Sequence, residues 1–237
     1  MQSVATLLGA TNSAKGTTAS AMEARVMALA EKAKQESWGC EDPIDLNSTI
    51  DNSELESSLR HQGMPQRIID TLQNQVRETP ALEAVKKFTD SPKESWCLVL
   101  AGQKGVGKST AAAYFLWEKT RRVASGATPP KQLQWWTASR VARLSGYDQE
   151  LEKMMKVPLM VIDDLGVEYL DKNGYFNHRL DELIDERYSN YRKTIITTNL
   201  NKRDFQARYE DRITSRIREG FKHGGDYLEL DGRSLRI

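Results

Sequence analysis

The feature that most constrains this chain is the run Gly102-Gln103-Lys104-Gly105-Val106-Gly107-Lys108-Ser109, which satisfies the pattern G-x-x-x-x-G-K-[ST] in full. Such a run cradles phosphate only where a buried strand ends and a helix begins. Glycines let successive backbone N–H groups converge on phosphate oxygens with no Cβ in the way. The helix that follows presents unpaired amides and a positive dipole end to the same anion. Both flanks comply: residues 96–101 form a continuous apolar run, as in a strand buried on both faces, and residues 108–122 have a helical period. The run therefore predicts that Gly102, Gln103, Lys104, Gly105, Val106, Gly107, Lys108, Ser109 and Thr110 bind ATP. Lys108 is expected at the β/γ-phosphates and Ser109 on Mg²⁺.

Four further apolar runs have the same look, at residues 133–137, 158–162, 194–197 and 227–230. Amphipathic stretches lie between them, at 138–144 with 149–155, 177–191 and 202–219, and another helix is expected at 80–89. Strands alternating with helices predict an α/β fold, a five-stranded parallel sheet flanked by helices, over residues 62–237. Residues 1–61 read as a separate helical and flexible segment. Within it, residues 22–38 form a helix and a turn-rich linker follows.

The run Leu159-Met160-Val161-Ile162 ends in Asp163-Asp164, carboxylates at a strand tip as a metal-bound nucleotide requires. Asp163 is expected to hold Mg²⁺, and Asp164 to act as general base on the attacking water. Asn199, after Thr197-Thr198, ends the next strand, where a polar side chain reaches the γ-phosphate; a plain strand-terminating Asn is the competing reading. Arg208, Arg212 and Arg216 recur every fourth residue. They are either a solvated face paired with Glu210, Asp211 and Glu219, which the residues alone favour, or an arginine finger for a neighbouring subunit. Trp135-Trp136 reads as alternate faces of a strand, with base stacking as the lesser alternative. Arg140, Arg143, Lys153 and Lys156 fit a nucleic-acid channel or ordinary surface charge equally well.

Composition narrows the class. No stretch reaches the roughly 20 apolar residues of a membrane helix, and the first residues lack a secretory signal, so a cytoplasmic protein with no membrane partner is expected. The two cysteines, Cys40 and Cys97, are isolated, which argues against a disulfide framework or structural zinc. A net charge of +1 argues against a polybasic coating protein.

With these residues in view, the chain resembles AAA+ ATPases of the DnaC/DnaI helicase-loader and IstB transposition-helper group. Gly63-Met64-Pro65-Gln66-Arg67 is similar to the group's opening GIPxR segment, and residues 133–144 (LQWWTASRVARL) to its second strand and helix. Asp163-Asp164-Leu165-Gly166 with Glu168 matches its extended Walker B motif. Ile184-Asp185-Glu186-Arg187-Tyr188 looks like its RY helix, and residues 194–200 like its sensor strand. Residues 211–217 are similar to its ERIxSRI box and Ser234-Leu235-Arg236 to its closing SYR.

The resemblance implies that Asn199 is a sensor residue and Arg216 the trans-acting finger, with Arg212 the second choice. It implies an AAA+ core without a helical lid, with Arg233 or Arg236 sensing the γ-phosphate. It also implies ATP-driven self-association into a ring or spiral on single- or double-stranded DNA, and delivery of a replicative DNA helicase or a transposase. Asp164 stands where many AAA+ enzymes have Glu, and the shorter arm predicts slow, switch-like hydrolysis. The leading expectation is a loader that binds single-stranded DNA, its amino-terminal segment gripping the helicase. The alternative is an IstB-type transposition helper. A small-molecule kinase is weaker, because such kinases usually need a lid and an acceptor pocket, while this chain carries an interaction-type tail and finger-like arginines.

Overall fold

β1 (Cys97–Gly102) is buried along nearly its whole length, so it must have a strand on each side and a layer on each face. The computed structural model supplies both, and describes residues 52–74, 76–124, 133–144, 149–168, 174–220 and 227–231. The other strands are β2 (Leu133–Thr137), β3 (Leu159–Leu165), β4 (Lys193–Thr198) and β5 (Tyr227–Leu230). All pair in parallel, in the order β2-β3-β4-β1-β5. The expected five-stranded α/β sheet is present.

Alternation along each strand sorts side chains between two cores. Leu98, Leu100, Trp135, Val161 and Ile195 enter one core, with α1 (Asn52–His61), α2 (Gln66–Asn74), α3 (Pro80–Thr89) and α4 (Lys108–Ala124). Cys97, Val99, Trp136, Met160, Ile162 and Ile196 enter the other. There they meet α5 (Ala138–Val141), α6 (Gln149–Lys156), α7 (Tyr175–Ser189), α8 (Lys202–Arg208) and α9 (Asp211–Glu219). Among the described residues no helix is long and apolar enough to cross a membrane.

Three expectations change. The core reaches back across the 61/62 boundary, because Leu55 and Leu59 of α1 are buried in the first core with the sheet. The edge of β2 is bound to the same region, Trp135 N–H donating to the Gln62 carbonyl at 2.8 Å. The single helix expected over 202–219 is two, because Tyr209 adopts an extended conformation (φ −111°, ψ 149°) and sinks into the second core. β3 runs past Ile162 through both aspartates and carries a bulge there. The helix expected at 22–38, like Arg233 and Arg236, lies outside the described residues.

Candidate nucleotide site

The loop from β1 to α4 stands at the carboxyl ends of the strands, where open α/β sheets bind ligands. Gly102 could be no other residue: a Cβ there would lie 2.4 Å from the Leu230 carbonyl oxygen of β5. Lys108, only 5% exposed, donates from Nζ to the carbonyls of Gly102 (2.7 Å) and Gln103 (2.8 Å) and to Asn199 Oδ1 (3.1 Å). Asn199 follows β4, next to β1 in the sheet, which is why residues far apart in sequence meet. Lys104, Gly105, Gly107, Lys108, Ser109 and Thr110 line one cleft, whereas Val106 packs into the first core.

The acidic tip is built by β3 against β4. Thr197 Oγ1 donates to Asp163 Oδ1 at 2.6 Å and accepts the Asp164 N–H at 2.9 Å. One hydroxyl thus orders both aspartates. Ser109 also hydrogen-bonds the Asp163 side chain, so the two residues expected on the metal are in contact. Burial pushes the Asp163 carboxyl above the usual range, against the Thr197 and Ser109 hydrogen bonds, and the Asp164 charge pushes the same way. Asp164 sits at the bulge with φ 58°, the left-handed region, which re-aims the chain so that Asp164 also faces the cleft.

A hydroxyl beside a carboxylate is the hard-oxygen donor set Mg²⁺ accepts when phosphate and water complete its shell. Among the described residues no cluster of three or more His, Cys, Asp or Glu is placed to hold a metal alone. The fit is therefore to a metal shared with a phosphate.

The cleft, of about 850 Å³, extends from the loop to α2 and α3. Ile68, Val76 and Leu82 give it an apolar wall, edged by Thr71, Arg77 and Thr79. That suits a flat heterocycle joined to a polyanion. Nothing in the sequence marks this wall, since isolated apolar residues on short helices, as Ile68 and Leu82 are, or in the connection between them, as Val76 is, look the same whether they face a core or a cleft.

The arginines do not share one face. The break at Tyr209 puts Arg208 on α8, where it pairs with Glu168 (3.0 Å). Arg212 and Arg216 lie on α9, outside the cleft lining, and their partners are not the expected neighbours on their own helix. Arg216 (16% exposed) meets Asp181 at 2.9 Å and Asp185 at 2.5 Å, and Arg212 (59% exposed) meets the same two at 3.1 and 3.2 Å. Both tryptophans are buried, on opposite faces of β2, so neither is available for base stacking. The Arg140 guanidinium lies 4.0 Å from the Trp136 ring centroid and pairs with Glu150, and Lys156 pairs with Glu152.

Insertion of β4 between the phosphate-loop strand and the acidic strand is the arrangement of AAA+ P-loop ATPases, and this chain has that fold. Within that class it belongs to the family of IstB-like ATP binding proteins, whose sequence model matches residues 19–237. No curated protein sequence matches the chain. Among solved structures it is similar to the DnaC helicase loader (TM-score 0.51, 22% identity, 70% of this chain and 100% of that one). It is also similar to DnaI (0.53, 20%, 75% and 100%). A putative primosome component from Streptococcus pyogenes serotype M3 gives 0.54, 16%, 76% and 98%. AMPPCP-bound DnaA from Aquifex aeolicus is matched over 48% of its length, with TM-score 0.51, 17% identity and 66% of this chain covered. Another DnaA structure, bound to AMPPCP and single-stranded DNA, is matched over 48% of its length (TM-score 0.50, 17% identity, 67% of this chain).

Proposed function

We propose that this chain is an ATPase that assembles with ATP on single-stranded DNA and loads a replicative DNA helicase. The observation that carries the ATPase reading is the convergence of Lys108, Ser109, Asp163, Asp164 and Asn199 on one cleft. The fold shared with DnaC and DnaI supports the loader reading, and the DnaA structure with single-stranded DNA supports binding to a single strand.

The residues divide the work. Amides of the 102–110 loop and the Lys108 ammonium bind the triphosphate, and the Ile68, Val76 and Leu82 wall takes the base. Mg²⁺, when bound through Ser109 and Asp163, supplies neutralisation of charge on the phosphates. Asp164 accepts a proton from the attacking water, and Asn199, held by Lys108, orients that water or the γ-phosphate. Arg216, with Arg212 beside it, is the finger offered to the ATP of a neighbouring copy. The Asp181–Asp185 pair holds both guanidinium groups at the α7–α9 surface. A short Asp164 arm makes turnover slow, suited to a switch.

A second reading is favoured by one observation, the match of the IstB-like family model to residues 19–237: a transposition helper that recruits a transposase on DNA. The test uses the full chain as bait in the presence of ATP, with candidate helicase and transposase from the same cell as prey. ATP-dependent capture of the helicase and oligomers formed on single strands are expected. Capture of the transposase on duplex DNA would replace the first reading with the second.

A further inference from the structure

The turn leaving β3 is held by a carboxylate, Glu168, that does not line the nucleotide cleft. Val167 N–H donates to the Asp164 carbonyl at 3.3 Å, and Gly166, at φ 109°, occupies the turn position that requires a positive φ. A side chain on Gly166 would also press on Leu200, whose Cδ1 lies 2.9 Å from the Cβ position. Glu168 then folds back. Its Oε2 accepts the Gly166 N–H at 2.6 Å, and its Oε1 accepts Tyr209 OH (2.8 Å), Arg208 Nη2 (3.0 Å) and Arg208 Nε (3.1 Å). Arg208 Nη2 also donates to the Glu168 carbonyl at 2.8 Å. The Glu168 side chain is 0% exposed.

A carboxylate out of water is stable only while its donors stay in place. Here the donors come from two regions, the turn beside Asp164 and the α8–α9 junction, so the carboxylate holds each to the other. The left-handed Asp164 backbone is strained and persists only where its surroundings over-determine it. Thr197 grips the Asp164 N–H from one side, and the Gly166–Glu168 contact fixes the turn on the other.

We propose that Glu168 is the positioning residue for Asp164, clamping the turn after β3 against the α8–α9 junction so that the Asp164 carboxylate is aimed into the nucleotide cleft. The proposal rests on the ATPase reading. Because α9 starts from the same junction, the clamp also ties the Asp164 turn to the helix that bears Arg212 and Arg216.

The test is steady-state ATP hydrolysis by the full chain with Mg²⁺ and single-stranded DNA, beside nucleotide affinity from a fluorescent ATP analogue. Glu168→Gln puts an amide donor where the Gly166 or Arg208 side needs an acceptor. We expect kcat to fall on the order of tenfold or more, with nucleotide affinity within about twofold of wild type. Added to Asp164→Asn, it should lower kcat no further, since a group acting through Asp164 has nothing left to position. Tyr209→Phe removes one donor only and should lower kcat less, in the same direction, which tests the clamp even if Glu168→Gln fails to fold. An unchanged kcat in the folded variants, or losses that multiply in the double variant, would overturn the proposal while wild type still turns over. Wild type that binds the analogue but releases no phosphate would instead overturn the ATPase reading, and this proposal with it.

Discussion

The two ends of the sheet bury polar groups for different ends. At the carboxyl tips, Asp163, Thr197, Asp164 and Lys108 interlock beside an open cleft, with one residue in the left-handed region and one carboxylate raised by burial. Near the amino end of β4, Arg187 is 0% exposed and donates to Thr194 Oγ1 and to the carbonyls of Met154, Val157 and Lys193 at 2.7–2.8 Å. Each of these acceptors is neutral, and three are backbone atoms. The basal network ties α6, α7 and β4 into one packing arrangement. The apical network sets two like-charged carboxylates side by side, with Thr197, Ser109 and the Lys108 charge working against the burial of Asp163. Buried polarity ties packed elements together at one end and borders an open cleft at the other.

That contrast can be broken in order of expected effect. Arg187→Met removes the donor of four hydrogen bonds, three of them to backbone carbonyls, and should lower stability by about 3–5 kcal/mol, read by denaturant unfolding. Nucleotide affinity of the protein that remains folded should not change. Lys108→Ala should do the reverse, weakening ATP binding about a hundredfold, as loss of charge-assisted phosphate contacts predicts, with little change in unfolding. Unchanged affinity would remove the site.

Asp163→Asn sharpens the comparison because it should move stability and function oppositely. The folded carboxyl binds its proton more tightly than the unfolded one, so stability falls as pH rises from the unfolded value through the raised folded one. Near neutral pH the ionised group is therefore a cost that asparagine lacks. Tm measured without Mg²⁺ should rise, while Mg²⁺-dependent hydrolysis falls on the order of a hundredfold. A fall in Tm would show that the wild-type tip is not strained.

The smallest effect is at Lys193, whose amine donates to the carbonyl of Phe88, in the last turn of α3, and to that of Ser91 just beyond it. Burial, helped by the charge of Lys119, lowers its pKa to about 8 from 10.5. The folded state then binds fewer protons than the unfolded one between those values, so stability should increase as pH rises from 8 toward 10, by about 1–2 kcal/mol once solvent screening of the partly exposed amine is allowed for. Lys193→Met should flatten that rise in pH-dependent denaturation curves.

Much of the apical site is legible in the amino-acid sequence. The glycine run, the apolar strand ahead of it and the paired aspartates are contiguous, and each needs only its own neighbours to be recognised. The basal network is not legible: Arg187 resembles part of a family helix motif, with nothing to mark it as fully buried. The α8–α9 break is also hidden, because residues 202–219 keep a helical pattern through Tyr209. What pulls Tyr209 out is the second core, with Glu168 some forty residues away in sequence accepting its hydroxyl. The same break separates Arg208 from Arg212 and Arg216.

Sequence by itself determined the strand-loop-helix around the glycine run, the acidic strand tip and the parallel α/β sheet, because motifs and periodicities are properties of adjacent residues. Only the tertiary structure decided that Asn199 touches Lys108, that Thr197 orders both aspartates, that Arg212 and Arg216 share Asp181 and Asp185, and that Glu168 joins the β3 turn to α8. Those contacts link residues distant along the chain through hydrogen bonds a few ångströms long, and strand order, not spacing, brings them within reach.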